Sequence, residues 1–184
     1  MIRAIVGYGC PVLKKVAQPI DKGYPELEEL INDMFETMYN AYGVGLAAPQ
    51  INLSIRVVVI DADPMKEVFA DGEGFKKYFI NPVIIEEQGE PWAYNEGCLS
   101  LPELHEDIVR KPIIKVRYQD LDFNEYEEEF SGIRARVLQH EIDHLEGKVF
   151  TDRLSPLRRT LLKRKLKELS VGNVRTPYRM KYLK

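Results

Sequence analysis

The sequence predicts an α+β fold, with mainly antiparallel sheets packed around a central helix, and three observations carry that reading. Strand-like stretches of β-branched or alternating residues fill the middle of the chain, from Ile55 to Phe130. Helical periodicity is confined to one segment before them and two after them. Strands followed by segregated helices fit an α+β domain better than alternating βαβ units. With 184 residues, 45% hydrophobic and 30% charged, the chain has the size and balance of a single globular domain over 1–184 that needs no disulfide framework.

Taken in order, an extended start punctuated by Pro11 and Pro19 leads to Pro25–Tyr42. There Leu27, Leu30, Ile31, Met34, Met38 and Tyr42 recur at steps of three and four. That spacing predicts an amphipathic helix, opened by Pro25 where its missing N–H costs little. Gly43-Val44-Gly45-Leu46-Ala47-Ala48-Pro49-Gln50 follows, a segment whose glycines let other groups approach the backbone, and it reads as a functional loop or a plain turn. Ile55–Ile60, Tyr78–Ile85, Ile113–Tyr118 and Glu125–Phe130 are predicted strands. The polar stretch Asp61–Lys77 between the first two is expected to be a surface excursion without chemistry. A central helix is predicted over Ile133–Glu146, with Ser131-Gly132 before it and Gly147 after it as a C-terminal stop. Ser155-Pro156 opens the last predicted helix, Leu157–Leu169, in which Leu161, Leu162, Leu166 and Leu169 dock while Arg and Lys face out.

The net charge of −3 is unevenly spread. Residues 156–184 hold ten Lys or Arg and one acid, Glu168, for a net +9, which leaves −12 for the rest. Two readings of that basic end stand open: contact with an anionic surface or nucleic acid, and a solvated helix face. No apolar run approaches the roughly 18 residues of a spanning helix, and the opening MIRAIVGYGCPVLKK lacks the features of a secretion signal. Two cysteines, Cys10 and Cys98, suit a reducing compartment. A cytoplasmic protein with no membrane partner is expected.

Within the central helix stands His140-Glu141-Ile142-Asp143-His144. Two histidines four residues apart project from one helix face and can share a metal ion, with Glu141 beside that ion yet outside the ligand pair. Ile133 and Val137 lie on the same stripe, so the histidine face is the buried one, and two of the three histidines in the chain are in this motif. The pattern suggests metal-dependent hydrolysis, with Glu141 handling the protons of the attacking water. A catalytic site typically takes three protein ligands. The protease extension of the motif would need a histidine at position 150, which is Phe150, and the later helix offers Glu168 as its lone acid. Cys98, in Glu96-Gly97-Cys98-Leu99-Ser100-Leu101-Pro102, remains. By itself it reads either as a thiolate ligand or as a small buried hydrophobe. A nucleic-acid-binding protein with a structural metal is the other class the basic end suggests, but such a site would need a fourth protein ligand.

Three segments in the same order, GVGLAAPQ from Gly43, EGCLSLP from Glu96 and QHEIDHLEGKVF from Gln139, together resemble the signature motifs of bacterial peptide deformylases. Tyr8–Ala17 is similar to that family's N-terminal segment. The resemblance implies removal of the formyl group from the N-terminal formyl-methionine of nascent chains, with release of formate. It also implies Cys98, His140 and His144 as metal ligands and Glu141 as general acid and base. Gln50 and the Leu99 backbone N–H would stabilise the oxyanion, with Val44 and Gly45 lining the site along the substrate backbone. Two imidazoles and a thiolate suit zinc, whereas the family implies iron(II) in the cell, which zinc, nickel or cobalt can replace. Cys10 and His105 depart from the family pattern, and His105 is expected to face solvent. Because the substrate emerges at the ribosome, the basic C-terminal helix is expected to contact ribosomal RNA. Deletion of 157–184 is then expected to weaken ribosome binding and to spare turnover of a short formyl peptide.

Overall fold

The computed structural model describes residues 1–182 of the 184. Its strands are β1 (Ile5–Val6), β2 (Gly45–Ala47), β3 (Val57–Asp61), β4 (Lys76–Gln88), β5 (Trp92–Cys98), β6 (Leu101–Arg110), β7 (Ile113–Gln119), β8 (Glu125–Ser131) and β9 (Met180–Lys181). The helices are α1 (Leu27–Asn40), α2 (Gly132–Leu145) and α3 (Pro156–Ser170). A five-stranded antiparallel sheet runs in the order β2-β3-β4-β7-β8, β5 and β6 form a separate hairpin, and β1 pairs with β9 in parallel. The α+β class follows from this arrangement.

Both faces of the sheet are covered, which explains the unbroken apolar run in β3. Val58 and Ile60 pack with Ile133, Val137, Leu138 and Ile142 of α2, whereas Val57 and Val59 pack with Leu30, Ile31, Met34 and Met38 of α1. Side chains alternate across a strand, so a strand buried on both sides has no polar face to show. α2 is buried along almost its whole length, including the charged Arg136, Glu141 and Asp143. Its end follows the sequence expectation: Gly147 has φ +67, the Lys148 N–H donates to Asp143 O at 2.9 Å and the Gly147 N–H donates to His144 O at 3.2 Å. These two bonds satisfy carbonyls that an uncapped helix end would leave without partners.

Three sequence expectations need correction. α1 starts at Leu27, because Glu26 takes a left-handed φ of +53 and separates Pro25 from the helix. Tyr42 is 84% exposed rather than inward, since α1 ends at Asn40 and Tyr42 itself turns at φ +58. In α3, Leu162 and Leu169 dock against the β5–β6 hairpin and Phe150, while Leu161 is 65% exposed. Asp61–Lys77 is a surface excursion in which Asp71 Oδ2 accepts from the Ile133 N–H at 2.8 Å and so caps α2, and Met65 reaches the cavity lined by Cys98 and Glu141. A carboxylate at that point also meets the positive end of the helix dipole.

Candidate functional site

Three elements converge on one cavity of about 640 Å³: the end of β5, the segment from Val44 through β2 to Gln50, and the middle of α2. Cys98 ends β5 where the hairpin register shifts, leaving Leu99-Ser100 as a tight turn into β6. α2 presents His140 and His144 one turn apart, with ring centroids 5.1 Å from each other. Ligand atoms of Cys98, His140 and His144 all lie within 4.8 Å of one another, and this is the only such His/Cys/Asp/Glu group among the described residues. Cys98 Sγ and His144 Nε2 are 3.3 Å apart. The donor chemistry, two imidazoles and one thiol, fits a first-row divalent ion.

Second contacts fix these groups. His140 Nδ1 is 2.9 Å from Glu96 Oε2, which leaves Nε2 for a ligand and is a common way of orienting a metal-binding histidine. Glu96 also accepts from Arg110 Nε at 2.7 Å and from Arg136 Nη1 at 3.0 Å. Arg110 continues to Asp143 Oδ2 at 2.7 Å, and Arg153 donates to the same carboxylate. Burial alone would raise the Glu96 carboxyl, but the hydrogen bonds of His140 and Arg110 hold it well below the ordinary range. Burial disfavours a charged His140, yet its hydrogen bonds with Cys98 and Glu96 push its pKa well above the usual value. Burial lowers His144 to about 3.

Glu141 sits beside this group with Oε2 buried and without a hydrogen-bond partner, and burial pushes its carboxyl up to about 7. Gly45 permits that position, because a Cβ there would collide with the Glu141 carboxyl. Gln50 is held by the Ala47 N–H, which donates to Oε1 at 2.9 Å. Its Nε2 then lies 3.3 Å from Ser100 Oγ and 3.6 Å from Cys98 Sγ. Val44, Gly45, Gln50, Cys98, Leu99, His140 and Glu141 all line the cavity, and His144 lies buried behind them against Cys98. The eight residues expected at the site from the sequence are thus in one place, whereas Cys10 packs elsewhere with Val6, Val12 and Leu13.

Residues that the sequence reading passed over also belong here. Glu96 stands two positions before Cys98, the spacing that puts both on one face of a strand, and that was its available signal. Arg110, Arg136 and Tyr178 gave no local signal. His105 is exposed as expected, yet it covers Gly97 at the rim of the cavity. Phe150, where a protease of the extended motif would need a histidine, is buried with its ring stacked on His140 at 6.2 Å. Cys10 and Cys98 are both free of disulfides. No helix among the described residues is long and apolar enough to cross a membrane.

The family described as Polypeptide deformylase matches residues 2–160 of the chain. A peptide deformylase of Christiangramia forsetii is 52% identical over 193 residues, covering 99% of this chain and 96% of that protein. The crystal structure of a peptide deformylase from Legionella pneumophila superposes with a TM-score of 0.80 at 40% identity, covering 96% of this chain and 100% of that one. For the Thermotoga maritima peptide deformylase the TM-score is 0.76 at 42% identity, covering 85% and 99% respectively.

Proposed function

The chain belongs to the polypeptide deformylase family and is a metal-dependent hydrolase that removes the formyl group from nascent peptides; we propose that it does so with one divalent ion held by Cys98, His140 and His144 and with Glu141 as general acid and base. The observation that carries this reading is the meeting of three ligand atoms within 4.8 Å beside a buried carboxylate, Glu141, whose Oε2 has no hydrogen-bond partner. When bound, the ion supplies Lewis acidity toward the formyl carbonyl and makes water a better nucleophile near neutral pH.

The remaining work belongs to the chain itself. Glu141 accepts the proton of the attacking water and returns it to the departing amine nitrogen, releasing formate and the free N-terminus of the peptide. Gln50 Nε2 and the Leu99 N–H donate to the oxygen on which negative charge develops, and Gln50 is held beforehand by the Ala47 N–H on its Oε1. Val44 and Gly45 lie along the peptide backbone. Glu96 keeps His140 in one tautomer and one orientation.

Iron(II) is the ion expected in the cell, with zinc, nickel or cobalt able to replace it. The whole chain, 1–184, acts as one catalytic domain in the cytoplasm, working on N-formyl-methionyl nascent chains. α3 contributes the ribosome contact: Arg159, Lys163 and Lys167 stand four residues apart along one edge of the helix. The protease reading loses further support from Phe150, and the structural-metal reading from a donor set of three rather than four.

The test is metal analysis of anaerobically purified protein, paired with assay on a formyl-Met-Ala peptide. Iron at about one per chain is expected in the wild type. Cys98→Ala should lose most of the metal and the activity together, while Cys10→Ala keeps both. Full occupancy in Cys98→Ala would remove the thiolate from the ligand set.

A further inference from the structure

The chain does not stop where α3 does. Beyond Gly172, at φ +75, the tail turns back toward the body of the protein, with Thr176 Oγ1 donating to Tyr178 O at 2.7 Å. β9 then pairs with β1: the Ile5 N–H donates to Arg179 O at 2.9 Å and the Gly7 N–H to Lys181 O at 3.0 Å. The Tyr182 ring lies over Gly7 and Gly172, filling the space a Cβ at either would need. This return brings Arg175, Thr176, Pro177 and Tyr178 to the wall of the cavity that contains Cys98 and Glu141. The family match ends at residue 160, so the whole segment lies beyond it.

One contact ties the tail to the chemistry. Tyr178 Oη donates to Leu99 O at 2.9 Å. Leu99 and Ser100 form the turn between β5 and β6, and the other carbonyl of that turn, Ser100 O, accepts from the Tyr8 N–H at 2.8 Å. The turn is therefore held from both ends of the chain, which β1 and β9 join to each other. On its far side the Leu99 side chain rests on Gly43, where a Cβ would come within 2.7 Å of Leu99 Cδ1. Little freedom is left to the Leu99 backbone.

We propose that the C-terminal tail is a working wall of the substrate groove and that Tyr178 is a positioning residue, its hydroxyl fixing the Leu99-Ser100 turn so that the Leu99 N–H stays aimed at the developing oxyanion. The proposal rests on the reading of Leu99 as an oxyanion donor. A donor of this kind acts through being fixed in advance, so loosening its turn lowers the rate without removing the donor. Tyr178 touches the turn rather than the reacting atoms, so the effect falls on kcat and spares peptide affinity.

The test uses the full-length, metal-loaded enzyme and a short formyl-Met peptide. Tyr178→Phe keeps the ring and deletes only the hydroxyl. It should lower kcat about tenfold, short of the roughly 10² to 10³ lost with an oxyanion donor itself, and leave KM within about twofold. Metal content and unfolding temperature should not change. In a second arm, Leu99 is replaced by its α-hydroxy acid, which turns the 98–99 amide into an ester and deletes the N–H. A kcat loss in both arms, larger in the ester, supports the proposal. A normal kcat in Tyr178→Phe overturns it, and the ester arm then reports separately whether Leu99 is a donor. A Tyr178→Phe loss with no ester loss also overturns it, because Tyr178 would not be acting through Leu99.

Discussion

Glu96 carries more structural responsibility than any other side chain near the site, since it receives Arg110 and Arg136 and orients His140 while almost fully buried. A buried carboxylate is stable only with such partners, and removing one partner of a buried ion pair typically costs about 3–5 kcal/mol. Both Glu96 and Asp143 would be raised by burial. His140 and Arg110 on the first, and Arg153 and Arg110 on the second, hold them below the ordinary range instead. Carboxyls depressed in the folded state contribute stability that is complete above their unfolded values, near pH 4, and that is lost as pH falls through their folded values. Glu96→Gln should therefore weaken metal retention by about 10- to 100-fold and make the acid side of the stability curve shallower. Metal titration and unfolding midpoints between pH 3 and 7 would show both. An unchanged acid limb in Glu96→Gln would mean that the buried network does not set acid stability.

At the scale of elements, what the sequence revealed depended on whether burial and polarity agreed. α1, α2 and β3 bury apolar side chains at regular spacing, and each was legible. β6 alternates just as regularly, with Leu104, Glu106, Ile108 and Arg110 buried, but two of those four are charged because Glu106 meets Arg158 and Arg110 meets Glu96. Its period was hidden by ion pairs that only the folded chain reveals. β1 and β9 are two residues each, at opposite ends of the sequence, and nothing local marks them. Tyr178 was missed for the same reason, whereas the eight residues proposed for the site were legible because they sit in three compact motifs. α3 illustrates the opposite case, in which charge was visible and its use was not. Arg158 is committed to Glu106, Arg164 to Glu168 and Lys165 to Glu103, which leaves Arg159, Lys163 and Lys167 as the α3 cations without an ion pair among the described residues. Reversing those three to Glu should weaken salt-sensitive ribosome binding by more than tenfold at low salt, with turnover of a short formyl peptide unaltered. Unchanged affinity in a binding titration would exclude this edge of α3. The edge must be tested by charge rather than by deletion of 157–184, because Arg175–Tyr178 line the catalytic cavity and truncation would open it.

Across the whole molecule, the site is assembled from parts that are remote in sequence and cannot form it separately. β2 and the segment after it supply Gly45 and Gln50, the separate β5–β6 hairpin supplies Cys98, and α2, packed on one face of the five-stranded sheet, supplies His140, Glu141 and His144. The division of labour proposed for that assembly gives three side chains to the ion and a fourth, adjacent to them, to proton movement. Glu141→Gln separates the two roles, because it keeps the shape and hydrogen-bonding reach of the side chain and removes the carboxylate that accepts a proton. The direct measurement is formate release per metal ion in purified Glu141→Gln, with metal content determined on the same sample. Metal should remain at the wild-type level while turnover falls by at least the roughly 10² to 10⁴ of a positioned general base. Loss of the metal, or near-normal formate release with the metal in place, would contradict the role assigned to Glu141.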